Sequence, residues 1–197
     1  MINYFIKNLS IIKRKIKSEK KSYSFGGVDL LVNYLFKNKK KGIYLDVGSQ
    51  HPIANNNTYL LYKRGWYGIN IDLDKKNIDL FNISRKKDLN INVAISSDES
   101  KKKLYFYHEG SPINTISKTT AKKQKATIKD IKEIKTTTID KILEKNQYNK
   151  IDYLNIDVEG HELDVLKGIN LQKYKPDIIS VEFLDLNMKE LEFKNNN

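Results

Sequence analysis

The stretch 151–168 constrains the fold of this chain more than any other part of the sequence. It begins with the apolar run Ile151–Ile156, whose length and composition predict a buried β-strand. Three acids then surround Gly160 before helix-like apolar spacing resumes. A strand, an acidic glycine turn and a helix form half of a βαβ unit, in which ligands bind at the carboxyl end of the strand. The alternative is an ordinary turn in which Asp157 or Glu159 caps the helix.

Acidic residues also end the other strands that the sequence predicts. Helical segments separate most of these strands, an order that predicts an α/β fold with a doubly wound, mostly parallel, Rossmann-like sheet. Because the carboxyl ends of parallel strands meet at one edge of a sheet, we expect the acids to share a cleft. These strand-end acids are Asp46, Asp72, Asp157 and Glu182.

The first two strands resemble one half of a dinucleotide-binding domain. Gly48 follows the first strand, and Asp72 stands at the end of the second, about two dozen residues later. In such halves a glycine turn approaches phosphate or carboxylate groups, and an acid binds ribose hydroxyls. The full glycine motif is absent, since only Gly48 is present, and a nicotinamide oxidoreductase is therefore the weaker interpretation.

The length of 197 residues predicts one α/β domain. We expect a basic amphipathic helix over residues 1–21 and a single domain over 22–197. Within that domain, 43–183 should form the core, and about 118–135 should form a basic helical insertion.

The formal net charge of +12 is concentrated in two segments. Residues 1–21 carry a net +6 and residues 118–135 a net +5, so the core is nearly neutral. We therefore expect no specific nucleic acid partner. Apolar residues of 2–17 fall on one helical face, which predicts either peripheral membrane contact or packing on the domain or on a partner subunit. Oligomeric state is not revealed by the sequence.

Cysteine is absent, which excludes disulfides, thiolate metal ligands and a cysteine nucleophile. No apolar run is long enough to span a bilayer, and the N-terminal apolar residues alternate with lysines instead of forming a signal peptide. These features predict a cytoplasmic protein, with contact to the inner face of the membrane left open.

The chain resembles the FkbM-type S-adenosylmethionine-dependent methyltransferases over roughly residues 43–183. The resemblance is carried by blocks in the order of that family: YLDVGSQHP (44–52), NNTYLLYKRGWYGINID (56–72), NVAIS (92–96), TTTIDKIL (136–143), IDYLNIDVEGHELDVLKG (151–168) and PDIISVE (176–182). It implies a Rossmann-like methyltransferase fold, S-adenosylmethionine as cofactor, and methylation of a hydroxyl oxygen. The acceptors that it implies are sugars, polysaccharide precursors or secondary metabolites, so the partner is a small molecule or a glycan.

The resemblance also implies a role for each matching position. Asp46 and Gly48 would line the methionine end of the cofactor, and Asn57 and Thr58 would begin the helix beneath it. Asp72 would bind the ribose hydroxyls, and a turn ending at Ser96 would border the adenine. The residues facing the methyl group and the acceptor would be Asp157, Glu159 and His161.

Three departures from the family pattern concern the site and the sheet. Asn155 occupies a place where the family often has lysine, and segment 24–30 lacks an acid common in its relatives. The family fold also has two strands after the one holding Glu182, for which only about fifteen residues remain. We therefore expect either a sheet without the C-terminal strand hairpin or an unusual edge.

Methyl transfer to oxygen requires a group that removes a proton. We expect Asp157 to orient the cofactor or acceptor and His161 to accept the proton, with the carboxylates as alternative bases. The acids and Glu182 offer oxygen ligands for a divalent metal, but no spacing demands one, and no metal is expected. The competing functions are an RNA methyltransferase and an inactive methyltransferase-like fold that binds a partner or a membrane.

Overall fold

A computed structural model describes residues 21–183 as an α/β fold built on a parallel five-stranded sheet. The strands are β1 Ile43–Val47, β2 Tyr67–Asp72, β3 Leu89–Asn92, β4 Ala94–Ile95, β5 Lys101–Phe106, β6 Asp130–Thr137, β7 Tyr153–Ile156 and β8 Ile178–Val181. The order of strands in the central sheet is β3-β2-β1-β7-β8. A three-stranded sheet, β4-β6-β5, lies beside it.

Helices cover both faces of the central sheet, as the doubly wound prediction requires. A 3-10 turn, Phe25–Gly27, precedes the first helix. The helices are α1 Val28–Leu35, α2 Tyr59–Lys63, α3 Lys75–Ser84, α4 Lys118–Lys123, α5 Ile139–Lys145, α6 Glu162–Lys167 and α7 Leu171–Tyr174. The predicted fold class is confirmed.

Alternation along the strands separates the two faces of the sheet. Leu45 and Val47 of β1 point into an apolar cluster with α5 and α6. Tyr44 points to the opposite face, where it packs with residues of α1 and with Trp66. Asp46 pairs in register with Asn70 and with Asn155, so a row of buried polar side chains crosses the same face as Tyr44. The chain thus places polar groups on one face only, near the strand ends.

The composition of residues 90–95 (NINVAI) predicts a single third strand, and the structure shows that this prediction is wrong. β3 ends at Asn92 and pairs with β2, whereas Ala94–Ile95 forms β4 and pairs with β6. Val93 lies between them, and its backbone N–H still donates to the Asp72 carbonyl at 3.1 Å. The chain therefore leaves the central sheet at Val93, and the apolar run serves two sheets in succession.

The predicted basic helical insertion at about 118–135 is wrong over its second half. Helix α4 ends at Lys123, and Asp130–Thr137 forms β6. β6 pairs antiparallel with β5 over six residue pairs. The β-branched residues of this segment suit a strand, and pairing with β5 satisfies backbone groups that lysine-rich composition alone does not reveal.

Some predictions fall outside the residues that the structure describes. The amphipathic segment 2–17 lies there. The residues after 183, which the expectation of a missing C-terminal strand hairpin concerns, lie there too. Within the described part, β8 forms an edge of the central sheet. None of the helices in residues 21–183 has the length and apolarity that crossing a membrane requires.

Candidate active site

A tight turn at Gly48 brings three strand ends together. Gly48 has a φ of 79°, and a Cβ added there would lie 1.7 Å from the Asp157 carbonyl oxygen. Its backbone N–H donates to the Ile71 carbonyl at 2.8 Å, while the Asp157 N–H donates to the Val47 carbonyl at 2.9 Å. Only glycine satisfies both the left-handed backbone and the close approach. The turn therefore sets the spacing between the ends of β1, β2 and β7.

Asp72 ends β2 with its carboxylate held by two backbone donors. The Gln50 N–H donates to Oδ2 at 2.8 Å and the Asp74 N–H donates to Oδ1 at 2.7 Å. The side chain is buried, and this burial raises its pKa to about 6, although the two N–H groups partly oppose the shift. Each oxygen retains a lone pair that can accept a hydrogen bond from a ligand.

A first cleft, here called the donor cleft, opens between these strand ends and the segment 111–116. Its wall is apolar on the side of Ile71, Val93 and Ile95, and Asp72 and Asp157 also line it. The empty space of this cleft measures about 540 Å³ when the part open to solvent is included, whereas the volume accessible to water is about 50 Å³.

Ser111 gives the donor cleft an unused polar group. Its side-chain oxygen is buried and has no hydrogen-bond partner among residues 21–183. A buried hydroxyl without a partner costs free energy, which a ligand that supplies the missing hydrogen bond would recover. The donor cleft thus combines an apolar wall with a carboxylate and a hydroxyl, which suits a ligand that joins an apolar ring to hydroxyl groups.

A second cavity, here called the acceptor cavity, adjoins the donor cleft. The volume of this cavity that is accessible to water is about 490 Å³. Asp157 and Glu159 line both the donor cleft and the acceptor cavity. Gly48, Gln50 and Pro112 are also shared between them. The two cavities therefore meet at the strand-end acids, an arrangement suited to a group that passes from one bound molecule to another.

Three carboxyl groups converge at this meeting point. Oxygen atoms of Asp157, Glu159 and Glu182 all lie within 4.8 Å of one another. Burial, followed by the proximity of Glu182, raises the pKa of Asp157 to about 8. Burial, followed by the charges of Glu182 and Glu162, raises the pKa of Glu159 to about 7. Asp157 and Glu159 are therefore poised to exchange protons near neutral pH.

The last acid of the motif DVEGHE has a different task. Glu162 is buried, and its Oε1 accepts hydrogen bonds from the N–H groups of Val158 and Gly160, at 3.1 and 2.9 Å. Glu159 and Gly160 both have positive φ, so the turn is sharp. Glu162 therefore stabilises this turn, which aims the Glu159 side chain at the cavities, and does not itself line them.

His161 lines the donor cleft but not the acceptor cavity. Its Nε2 is 3.0 Å from Ser96 Oγ, and its Nδ1 is 3.4 Å from an Asp164 carboxylate oxygen. Burial lowers its pKa, which favours the neutral ring. The structure thus joins two predicted site residues, His161 and Ser96, on the side of the cleft formed by the turn after β4.

Asp46 is a buried anchor rather than a cavity wall. It is 1% exposed, and its carboxylate accepts hydrogen bonds from Asn56, Thr58 and Asn155 at 2.8–3.1 Å. Burial is the largest influence on its pKa, which is raised, and these donors partly oppose it. Asp46 therefore connects the loop before α2 to strand β7.

A buried arginine holds the same loop from the other side. Arg85 is 0% exposed. Its guanidinium donates to the Pro52 carbonyl, Asn56 Oδ1 and Thr58 Oγ1, with the shortest distances at 2.6 Å, and lies 3.9 Å from an Asp88 oxygen. The planar fork of arginine suits several fixed acceptors at once. Arg85 thus shapes the loop that carries Gln50 and Asn57 into the cavities.

Some of the predicted site residues line a cavity, and the others support the residues that do. Gly48, Asp72, Asp157 and Glu159 line the donor cleft with His161, and Asn57 lines the acceptor cavity. The residues that line neither space are Asp46, Thr58 and Ser96. Sequence reasoning assigned no role to Arg85, although it is one of only three arginines in a lysine-rich chain, and that contrast was the available signal. It also missed Gln50 and Ser111, for which the sequence carries no signal.

Comparison with known protein families identifies one match. The model of the methyltransferase FkbM domain matches residues 46–194, which is most of the chain. No curated protein and no solved structure matches. The matched range contains all four strand-end acids, which are Asp46, Asp72, Asp157 and Glu182.

Proposed function

Because the chain belongs to the methyltransferase FkbM family, we propose that it transfers a methyl group from S-adenosylmethionine to a hydroxyl oxygen. The acceptor is a sugar, a polysaccharide precursor or another hydroxylated metabolite. The observation that carries the proposal is the meeting of two cavities at Asp157 and Glu159. A methyl donor in one cavity and an acceptor in the other would place the reacting atoms beside these carboxyl groups.

The donor cleft suits the parts of the proposed cofactor. Asp72 would accept hydrogen bonds from the ribose hydroxyls, and Val93 and Ile95 would pack on the adenine. A positive sulfonium and ammonium group bound at the inner end would favour the ionised forms of Asp157 and Glu159, so the acids there suit a ligand that carries such groups. When bound, S-adenosylmethionine supplies an electrophilic methyl group, whose carbon–sulfur bond breaks as the new carbon–oxygen bond forms.

Asp157 is the proposed proton acceptor for the hydroxyl. It stands at the wall between the cavities, and its raised pKa of about 8 makes it a stronger base than an ordinary aspartate. Glu159 would accept a hydrogen bond from the acceptor and hold its oxygen in place. His161, whose ring contacts Ser96 at 3.0 Å, would support the adenine side of the cleft. The proposed base is therefore Asp157 and not His161, which is the base expected from the sequence.

Asp72→Asn should weaken the binding of S-adenosylmethionine by roughly tenfold to a hundredfold. The substitution keeps the side-chain shape but replaces one acceptor oxygen with a donor, so that a hydrogen bond from the ribose to a charged group is lost. Isothermal titration calorimetry of the purified chain with S-adenosylmethionine measures the change.

Asp79→Asn is the matched control, because Asp79 lies on the exposed face of α3 in an ion pair with Lys75. It should bind the cofactor as the wild type does. Equal affinity in all three proteins would contradict the role of Asp72, and the absence of binding to the wild type would contradict the proposed function itself.

Methyl transfer should persist in the presence of a chelator. Although the three carboxyl groups converge within 4.8 Å, the proposed mechanism gives the proton to Asp157 and needs no Lewis acid. The measurement is the transfer of labelled methyl to a host extract of glycans and small molecules, with and without EDTA. Loss of transfer that returns when Mg²⁺ or Mn²⁺ is added would assign the carboxyl cluster to a metal instead.

A further inference from the structure

In the described part of the chain, the acceptor cavity is lined by acidic side chains and by no basic ones. Among the residues 21–183 that line it, Asp157, Glu159 and Glu182 carry carboxyl groups, and none carries a cationic side chain. This contrasts with the whole sequence, which has a net charge of +12. The ionisable side chains of this lining, within the described part of the chain, are thus all acidic, whereas the chain as a whole is basic.

The rest of the lining offers neutral hydrogen-bonding groups. Amide side chains come from Gln50, Asn55 and Asn57, and a hydroxyl comes from Ser180. Such groups both donate and accept, as the hydroxyls of a polyol do. Anionic groups are instead bound by guanidinium, ammonium or clustered backbone N–H groups, and the first two are absent from the lining in the described part of the chain.

Aromatic side chains stand at the mouth of this cavity. Phe25 is 85% exposed, and Phe183 is about half exposed. Exposed aromatic rings next to polar groups form contact surfaces that are apolar on one side and polar on the other. The C–H face of a sugar ring, with hydroxyls around its edge, has the matching character.

From this lining we propose that the acceptor cavity takes a polyhydroxylated ring that is cationic or neutral and discriminates against anionic ones, with Glu182 as the residue that sets this preference. The inference rests on the proposed function for the identity of the cavity. It extends that function by naming the charge class of the acceptor, which excludes phosphorylated sugars, sugar acids and nucleic acid.

Glu182 is the residue best placed to set the preference. It follows strand β8 and lines the acceptor cavity but not the donor cleft. Asp157 and Glu159 line both spaces, so a substitution at either would not test the acceptor cavity alone. A charge interaction over 4–5 Å near a protein surface is large enough to change an affinity by tenfold or more.

The test uses three sugars that differ only at carbon 6. These are methyl 6-amino-6-deoxyglucoside, methyl glucoside and methyl glucuronide, which are cationic, neutral and anionic at pH 7.5. Ligand-observed NMR titration of the full chain measures each dissociation constant. We expect the amino sugar to bind about tenfold or more tightly than the glucuronide, with the glucoside between them.

Glu182→Gln should reduce the preference for the amino sugar over the glucuronide severalfold, because it removes a charge and keeps the side-chain shape. Glu133→Gln is the control, since Glu133 on β6 pairs with Lys101 on β5, and it should leave the preference unchanged. Equal or tighter binding of the glucuronide, binding of none of the three sugars, or equal effects of the two substitutions would overturn the inference. Calorimetric titration with S-adenosylmethionine tests the proposed function separately, because that titration contains no acceptor.

Discussion

Asp157→Asn should lower methyl transfer by roughly a hundredfold to ten-thousandfold, which is the usual contribution of a general base. Asparagine keeps the size of the side chain but cannot take the proton of the acceptor hydroxyl. Cofactor affinity should change much less, because Asp72 and the apolar wall of the donor cleft remain. The measurement is labelled-methyl transfer, with calorimetry of S-adenosylmethionine on the same protein.

The pH dependence gives this prediction a second measurement. Only the ionised carboxylate can accept a proton, and the pKa of Asp157 is raised to about 8. The wild-type rate should therefore rise with pH from about 6 to 9, and the small residual rate of Asp157→Asn should lack this rise. Asp130→Asn, on the exposed strand β6, is the control and should keep both the rate and the pH profile. A variant at Asp157 that retains the wild-type rate with the cofactor bound would contradict the assignment.

The same carboxyl group should reduce stability at high pH. Its folded pKa lies above that of an unfolded aspartate, so the folded chain binds the proton more tightly. That contribution to the free energy of unfolding is present below about pH 4 and is lost as the pH rises towards 8. The melting temperature of Asp157→Asn should therefore be higher than that of the wild type at pH 8, and this difference should disappear at pH 5. Such a loss of stability in favour of activity is common at active sites.

Arg85→Met should have the largest effect on folding. It removes a fully buried cation and leaves its acceptors at Pro52, Asn56 and Thr58 without their donor. It also leaves the buried carboxyl groups nearby without a counter-charge. Breaking a buried ion pair by removing one partner costs about 3–5 kcal/mol, a large part of the stability of a typical domain.

Arg64→Met provides the matched comparison. Arg64 is half-buried and donates to Asn33 and to the carbonyls of Phe36 and Lys39, but no carboxylate depends on it among the contacts of the described chain. Urea unfolding should show a clearly smaller loss for Arg64→Met than for Arg85→Met. A loss at Arg85 no greater than at Arg64 would show that the buried cation is not the anchor of the loop.

Much of the architecture could be predicted because it depends on local patterns. Strand-end acids and glycine turns recur at regular places, and parallel strands carry their carboxyl ends to one edge. Gly48, Asp72, Asp157 and Glu159 were found in this way, and the structure places all four at the donor cleft. The roles assigned to them remain proposals that the experiments above address.

The errors have one physical cause, which is that pairing partners are distant in sequence. The run 90–95 is continuous in sequence, but its two halves pair with β2 and with β6. The lysine-rich segment looked helical because its composition gave no sign of β5, its partner. Likewise, Asp46 and Asp72 lie near the ends of similar strands, yet one carboxylate is enclosed by Asn56, Thr58 and Asn155 and the other lines a cavity.

The sequence by itself determined the α/β fold class, the position of the glycine turn and the set of acids at the strand ends. These depend on apolar periodicity and backbone conformation, which neighbouring residues dictate. Only the tertiary structure decided which acids face a cavity, that His161 contacts Ser96, and that Arg85 supports the loop. Burial, and with it the pKa of each carboxyl group, arises from chain segments that meet only after folding.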